Sequence, residues 1–227
     1  TIAGPKALEH MVDTVISFER NNEDIRFLHA QKNRFGSVDE IGIFSMSSEG
    51  LSPIADPNSL FINKRANRNV AGLSCTPVFE CSRVFLVEIQ ALTVPAKASV
   101  SRIYSEKIDS GRVARIAAVI EKRCGLVFSD QDIYVNVTGG IKLSESSIDA
   151  ALAAALYSAR TDLPVKAETT LFGEISLTGE VQPVGKAKQR IKTAQNFGSK
   201  CIICNEKDDS CLQVCDIKTL IKSVFSK

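Results

Sequence analysis

Residues 138–190 constrain the fold more than any other stretch of the chain. At their centre lies an alanine-rich run, Ala150-Ala151-Leu152-Ala153-Ala154-Ala155-Leu156. Alanine is the strongest helix former, and a helix with so few bulky side chains packs tightly against its neighbours. Thr138-Gly139-Gly140 precedes it as a glycine turn, and Ser144-Glu145-Ser146-Ser147 as a Ser/Glu helix start. After it come a two-strand unit around Gly173-Glu174 and Gly179-Glu180, then a basic helix opened by Lys186-Ala187-Lys188-Gln189-Arg190. A serine at the head of one helix and a basic residue on the next is a layout that can hold a hydrolytic dyad.

A chain of 227 residues is one large domain or two small ones, and either buries an adequate core. No apolar run approaches the roughly eighteen residues of a membrane span, and the N-terminus carries no apolar signal region. Lacking an initial Met, the chain reads as part of something longer. A formal net charge of +2 is too small to imply polyanion binding by itself, so any nucleic-acid contact must rest on a local patch. Seven cysteines, an odd number without a small disulfide-stapled scaffold, fit a reducing, cytoplasmic setting. Cys201-Ile202-Ile203-Cys204 with Cys211 and Cys215 imitates zinc-ligand spacing. Residues 200–204 read as a buried strand, however, whose positions i and i+3 face opposite sides, so no metal site is assigned.

Along the chain, residues 5–12 have helical spacing, and 14–18, 25–31 and 41–46 read as strands joined by polar turns. They resemble one side of a sheet with no helices left to cover it. Pro53, Pro57 and Gly72, with the basic Asn-rich patch at 64–69, place a domain boundary near residue 63, after a short amphipathic turn at 59–62. The expected division is therefore 1–62 and 63–227. In the second part, 74–79 and 84–92 form a hairpin, and 95–112 is a polar segment. Residues 109–123 form a helix with Val113, Ile116, Ala117 and Ile120 as its apolar stripe. Further strands are expected at 133–137, 169–176, 180–182 and 201–204, with helices at 146–160, 186–197 and 217–225. The fold class is α/β (mixed α+β).

Lys32-Asn33-Arg34-Phe35-Gly36 resembles the KNRFG motif of the bacterial RadA (Sms) family of DNA repair proteins. Residues 84–203 resemble the Lon-protease-like domain of that family. Leu8-Glu9-His10-Met11-Val12-Asp13-Thr14-Val15, residues 33–43, Leu86-Val87-Glu88-Ile89-Gln90-Ala91-Leu92 and Gly173-Glu174 also match, so the resemblance covers essentially the whole chain. It implies that residues 1–62 are the last strands of a RecA-like ATPase core and 63–227 a Lon-like domain. The implied whole is a homo-hexameric, DNA-dependent ATPase that branch-migrates recombination intermediates. It would use ATP and Mg2+, act on single-stranded and branched DNA beside a RecA-type recombinase filament, and work in the cytoplasm. The family's four-cysteine zinc finger and phosphate loop are expected upstream, and G-x-x-x-x-G-K-[ST] does not occur in this sequence.

The resemblance also assigns sites. Lys32 and Arg34, two apart on a strand-like segment, point the same way. Two cations on one face suit a contact to a neighbour's γ-phosphate. Ser147 takes the place of the Lon nucleophile, and the lysine that activates it falls on Arg190. Arginine, with a pKa above about 12, is neutral in roughly one molecule per 10⁵ or fewer at pH 7, a loss of about 7 kcal/mol in availability of the base. Ser144-Glu145-Ser146 stands where Asp-Gly-Pro is expected, and Asp149 replaces a glycine. Lys188 is rotated about 200° away on the helix and Lys186 lies one turn off, about 6 Å. The expectation is a proteolytically inactive domain, with Ser147 a helix-start hydroxyl. Arg102, Lys107, Arg112, Arg115 and Lys142 form a basic set able to contact DNA phosphates, with Arg102, Arg112 and Lys142 as the DNA-binding candidates. Two alternatives remain: a stand-alone oligomerisation and DNA-binding module without enzymatic role, and a Ser-dependent peptidase using Lys186.

Overall fold

The structure, a computed structural model, describes residues 7–20, 24–38, 41–54, 61–62, 70–80, 83–97 and 101–225. The chain divides into two compact units, Thr1–Pro57 with Phe79–Arg83, and Asn58–Val78 with Val84–Lys227. The boundary expected near residue 63 and the basic patch at 64–69 lie outside the described residues, as does half of the turn at 59–62.

In the first unit a short helix α1 (Ala7–Met11) leads into strands β1 (Thr14–Arg20), β2 (Ile25–Asn33), β3 (Ile41–Ser47) and β4 (Gly50–Pro53). They pair in chain order as an antiparallel meander. β4 was not legible in the sequence. It forms because Gly50, at φ 109°, closes a two-residue turn that pairs with Ser47. Ile25, Ile41 and Ile43 are buried, whereas Ile16 and Phe18 of β1 are exposed.

The second unit is built on a seven-stranded sheet. Its order is β13 (Leu212–Gln213), β12 (Cys201–Cys204), β9 (Thr169–Leu171), β5 (Leu73–Glu80), β6 (Arg83–Pro95), β8 (Gln131–Val137) and β7 (Ile103–Ser105). Pairing is parallel from β13 through β5, antiparallel between β6 and β8, and parallel between β8 and β7. The polar segment expected at 95–112 thus contains an edge strand, recruited by β8. A small ladder joins β10 (Glu174–Ile175) to β11 (Val181–Gln182).

Helices α2 (Ser110–Cys124), α3 (Asp149–Thr161), α4 (Ala187–Asn196) and α5 (Ile217–Phe225) complete the unit. The Asp109 carboxylate caps α2 by accepting from the Arg112 amide at 2.8 Å, and Gly125 ends it in the left-handed conformation. Its predicted stripe, Val113, Ile116, Ala117 and Ile120, is buried. α3 is the central element: every residue from Asp149 to Leu156 is fully buried. Its small alanines let neighbouring elements enclose the helix at close range, with α2 and α5 packed against it. Phe61 and Phe85, both buried, meet edge to face at 5.5 Å elsewhere in the core.

Two differences from the expected elements matter for the site. The strand expected at 169–176 breaks at Phe172-Gly173, and the helix expected from Ser146 begins at Asp149, after a 3-10 turn at Ser146–Ile148. Both have one cause. The Gly173 amide donates to the Ser147 carbonyl at 2.8 Å, and the Gly173 carbonyl accepts from the Ala150 amide at 3.0 Å. The chain leaves the sheet there to satisfy backbone groups at the head of α3. A Cβ at Gly173 would lie 2.7 Å from Val181 Cγ1, so glycine permits the approach.

Gly72 ties β6 to α3. It sits at φ 83°, its amide donates to Ser158 Oγ at 2.8 Å, and its carbonyl accepts from the Ala91 amide at 2.7 Å. A Cβ there would lie 2.1 Å from the Ala91 carbonyl oxygen, which is backbone and cannot swing aside. Gly72→Ala is expected to destabilise the second unit by about 2–3 kcal/mol, read from the shift of its urea unfolding midpoint at unchanged slope.

Candidate functional site

The 3-10 turn at Ser146–Ile148 puts Ser147 at the head of α3, and α4 carries Arg190 in its first turn. The two side chains meet. Arg190 Nη1 donates to Ser147 Oγ at 3.1 Å, and both residues are buried, at 4% and 2% exposure. What surrounds the pair decides its chemistry. The Arg190 guanidinium forms a bidentate pair with Glu145, Nη1 to Oε1 at 2.9 Å and Nη2 to Oε2 at 2.7 Å. Its Nε donates to the Gly185 carbonyl at 3.0 Å, and Nη1 also reaches the Pro77 carbonyl.

Each of the three guanidinium nitrogens therefore has a partner, and the two-bond fork to Glu145 is the geometry that favours carboxylate recognition. The serine oxygen receives a hydrogen bond from a cation that keeps its proton, so Arg190 accepts no proton from it. A fixed positive charge beside the hydroxyl favours an alkoxide electrostatically, but general-base catalysis also needs an acceptor for the proton. Lys186, the alternative base, is exposed and adopts φ 61° just before α4, one residue outside the helix in which it was expected.

Glu145 is the residue that sequence reasoning missed as the partner of Arg190. A signal was present. Both positions depart from the Lon pattern, one by gaining a carboxylate and the other by fixing a cation, and paired departures of opposite charge mark an ion pair. Ser146 Oγ adds a bond to Glu174 Oε2 at 2.7 Å, fastening the same turn to β10.

Asp149, also a departure from that pattern, is fully buried one turn further on. Arg112 Nη1 reaches Oδ1 at 2.8 Å, Arg115 Nη2 reaches Oδ2 at 3.1 Å, and the Ile175 amide donates to Oδ2 at 3.2 Å. Burial pushes this carboxyl above its ordinary range, and the Arg112 hydrogen bond, the Ile175 amide and the two guanidinium charges oppose that shift. A carboxylate in the first turn also complements the dipole of α3.

The basic set expected to contact DNA is thus divided. Arg112 is joined to Asp149 and, through Nη2, to the Ser144 carbonyl at 3.1 Å, and Arg115 shares the same carboxylate. Both hold α2 against the head of α3. Arg102 and Lys142 are exposed.

In the first unit, β2 ends at Asn33, so Lys32 lies on the strand and Arg34 just beyond it. Both side chains return toward residues 9–13. Lys32 Nζ donates to the Glu9 and Val12 carbonyls at 2.8 and 2.7 Å, at the end of α1, and Arg34 Nη1 pairs with Asp13 Oδ1 at 3.0 Å. The Arg34 side chain is 75% exposed.

The fold and the Ser147–Arg190 pair define a domain of the Lon-protease class: residues 104–224 match the Lon protease (S16) C-terminal proteolytic domain. Among curated proteins, the chain is 63% identical over 201 residues to the DNA repair protein RadA of Treponema pallidum, covering 88% of this chain and 44% of that protein. It is 44% identical over 204 residues to RadA of Bacillus subtilis, covering 89% and 44%, and 41% identical over 229 residues to RadA of Rickettsia typhi, covering 97% and 51%. The chain belongs to the RadA family of DNA repair proteins. It spans about half the length of the curated relatives it matches.

Removing one member of a buried ion pair leaves the other desolvated, at a cost of about 3–5 kcal/mol. With Glu145 25% exposed and partly solvated, Glu145→Ala is expected to cost about 2–4 kcal/mol of unfolding free energy. Glu145→Ala in an Arg190→Met background is expected to cost less than half as much, as a double-mutant cycle by chemical denaturation will show.

Proposed function

We propose that the chain is part of a DNA-dependent ATPase of recombinational DNA repair, whose Lon-type domain is a proteolytically silent scaffold for assembly and DNA contact. The observation that carries the silent assignment is the Arg190 guanidinium held by Glu145 while it donates to Ser147. The nucleophile's place is kept, but the neighbouring cation is a structural tie. The DNA-repair role follows from the relatives named DNA repair protein RadA.

In this reading the four-stranded unit is the end of a RecA-like core, and ATP with Mg2+ supplies the phosphoanhydride whose cleavage drives movement on DNA. This chain would contribute Lys32 and Arg34 to a neighbouring subunit's nucleotide in a homo-hexamer. Their setting fits a phosphate ligand: two cations fastened to one short segment, with Arg34 facing outward past Asp13. Lys32 holds the end of α1 through two carbonyls and must exchange them for phosphate oxygens, whereas Arg34 need only turn from an exposed carboxylate. Zinc belongs to a four-cysteine finger outside this chain. Single-stranded and branched DNA and a RecA-type recombinase filament are the proposed partners, and the cytoplasm the proposed compartment. Among the described residues no helix is long and apolar enough to cross a membrane.

In the protein that also carries the phosphate loop, Lys32→Ala is expected to abolish ATP-driven branch migration while leaving the circular dichroism spectrum unchanged. Wild-type ATPase and migration rates in that variant would remove the trans-acting role. For the scaffold, the expected result is no casein or peptide turnover by the chain and no change on Ser147→Ala. Serine-dependent hydrolysis would sink the silent assignment.

Exposed Arg102 and Lys142 are the cations proposed to meet DNA phosphates. Arg102→Ala and Lys142→Ala are each expected to lower affinity and to reduce the slope of log K against log salt by about 0.7–0.9. Arg112→Ala is expected to act through stability instead, because it frees a buried carboxylate. Titrating labelled DNA at several salt concentrations, beside a urea melt of each variant, separates the two effects.

A further inference from the structure

Among the described residues, one face of β6, β8 and β7 is left open at the edge of the seven-stranded sheet. Side chains alternate across a strand, so Gln90 and Leu92 of β6, Tyr134 and Asn136 of β8, and Tyr104 of β7 share that face. Pairing sets Leu92 opposite Tyr134 and Tyr134 beside Tyr104, a single row of three side chains. The intervening residues Ile89, Ile133, Val135 and Val137 are buried on the other side. The row is thus fixed from below by the core.

The two tyrosine rings lie parallel, 4.6 Å apart with 9° between their planes, yet each remains exposed, at 43% for Tyr104 and 38% for Tyr134. They line a groove of about 880 Å³ shared with Gln90, Leu92, Asn136 and Val70. Arg102, just before β7, is exposed and hydrogen-bonded to Tyr104, which together with Asp132 pushes its guanidinium upward. Asp132 is tied down, its carboxylate accepting from the Arg102 amide at 2.9 Å. Glu106 is the acidic member of the groove.

A parallel pair of exposed rings whose outer member, Tyr104, stands on the edge strand β7 is a stack that a third flat ring can continue. Aromatic side chains on an open sheet are a recurrent way to hold unpaired bases, because every base offers a π-face and stacking tolerates any sequence. Arg102 beside the stack supplies the charge complementarity for the phosphate that accompanies each base. We propose that this face is a stacking platform for the bases of single-stranded nucleic acid, with Tyr104 and Tyr134 carrying the base and Arg102 its phosphate. The proposal rests on the DNA-contact reading above and gives it a substrate class: unpaired strands in preference to duplex, whose bases are already stacked on one another.

The sequence offers a direct probe, since it contains no tryptophan and three tyrosines, of which Tyr157 packs against Phe225. Titrating the whole chain with a short oligothymidylate, with inner-filter correction, is expected to quench its tyrosine emission. The same length of duplex should leave the emission nearly unchanged. By anisotropy of a labelled oligothymidylate, Tyr104→Ala is expected to weaken binding roughly 5- to 150-fold with an unchanged salt slope, because stacking involves no counterions. Arg102→Ala should lower the slope by about 0.7. Tyr104→Phe should bind like wild type. Tyr104→Leu, which keeps apolar bulk on the face without a π-surface, should behave like Tyr104→Ala, so a folding defect in the smaller variant does not obscure the result.

Wild-type affinity in folded Tyr104→Leu would overturn the platform. If Lys142→Ala then still weakened binding, the DNA-contact reading would stand without it. No binding of oligothymidylate by the wild-type chain at low salt would overturn both. Loss of self-association in Tyr104→Leu with DNA affinity intact would assign the face to a second copy of the chain and likewise overturn the proposal.

Discussion

The second unit depends on enclosing α3 on every side. A helix buried from Asp149 through Leu156 has no solvent face, so the backbone groups at its head must find partners inside the protein. Gly173 supplies two of them, and the Asp149 carboxylate ties the same turn to Arg112, Arg115 and the Ile175 amide. The strand that would have run from Thr169 to Ser176 is broken for this purpose. Gly72 meets the other end of the helix through Ser158, where no side chain fits between it and Ala91.

With that helix in place, Ser147 and Arg190 can be neighbours only in the buried space between the heads of α3 and α4. A lysine there could be desolvated and lose its proton, which is how burial generates a base. An arginine responds to the same burial differently, by gathering partners: Glu145, two carbonyls and the serine oxygen. The same pocket that can make a nucleophile from a Ser–Lys pair makes a structural clamp from Ser–Arg–Glu. The clamp joins α3 to α4 through the same two positions.

Much of this was legible locally. The α2 stripe at Val113, Ile116, Ala117 and Ile120 was readable because a 3.6-residue period needs no knowledge of what lies opposite. Ser147 and Arg190 were readable as a pair because helix heads and motif spacing place them. Glu145 as the partner of Arg190 was not, since the two are 45 residues apart in sequence and their approach depends on how α3 and α4 dock. The same holds for Arg112, which reads as a surface cation on its own helix and becomes a half-buried tie only when α3 arrives beside it.

The sequence by itself determined the family, the mixed α/β class, most helices and strands, and the arginine that stands where the Lon pattern has a lysine. The class and the elements rest on short-range periodicity, the family and the arginine's place on the resemblance of motifs. Tertiary structure alone decided which charges are joined and which face outward, because a guanidinium's role depends on the carboxylates that distant segments bring to it. It also decided that β7 would join the sheet edge and set Tyr104 against Tyr134: a three-residue strand has too little pattern to be read alone, and only β8 gives it a partner.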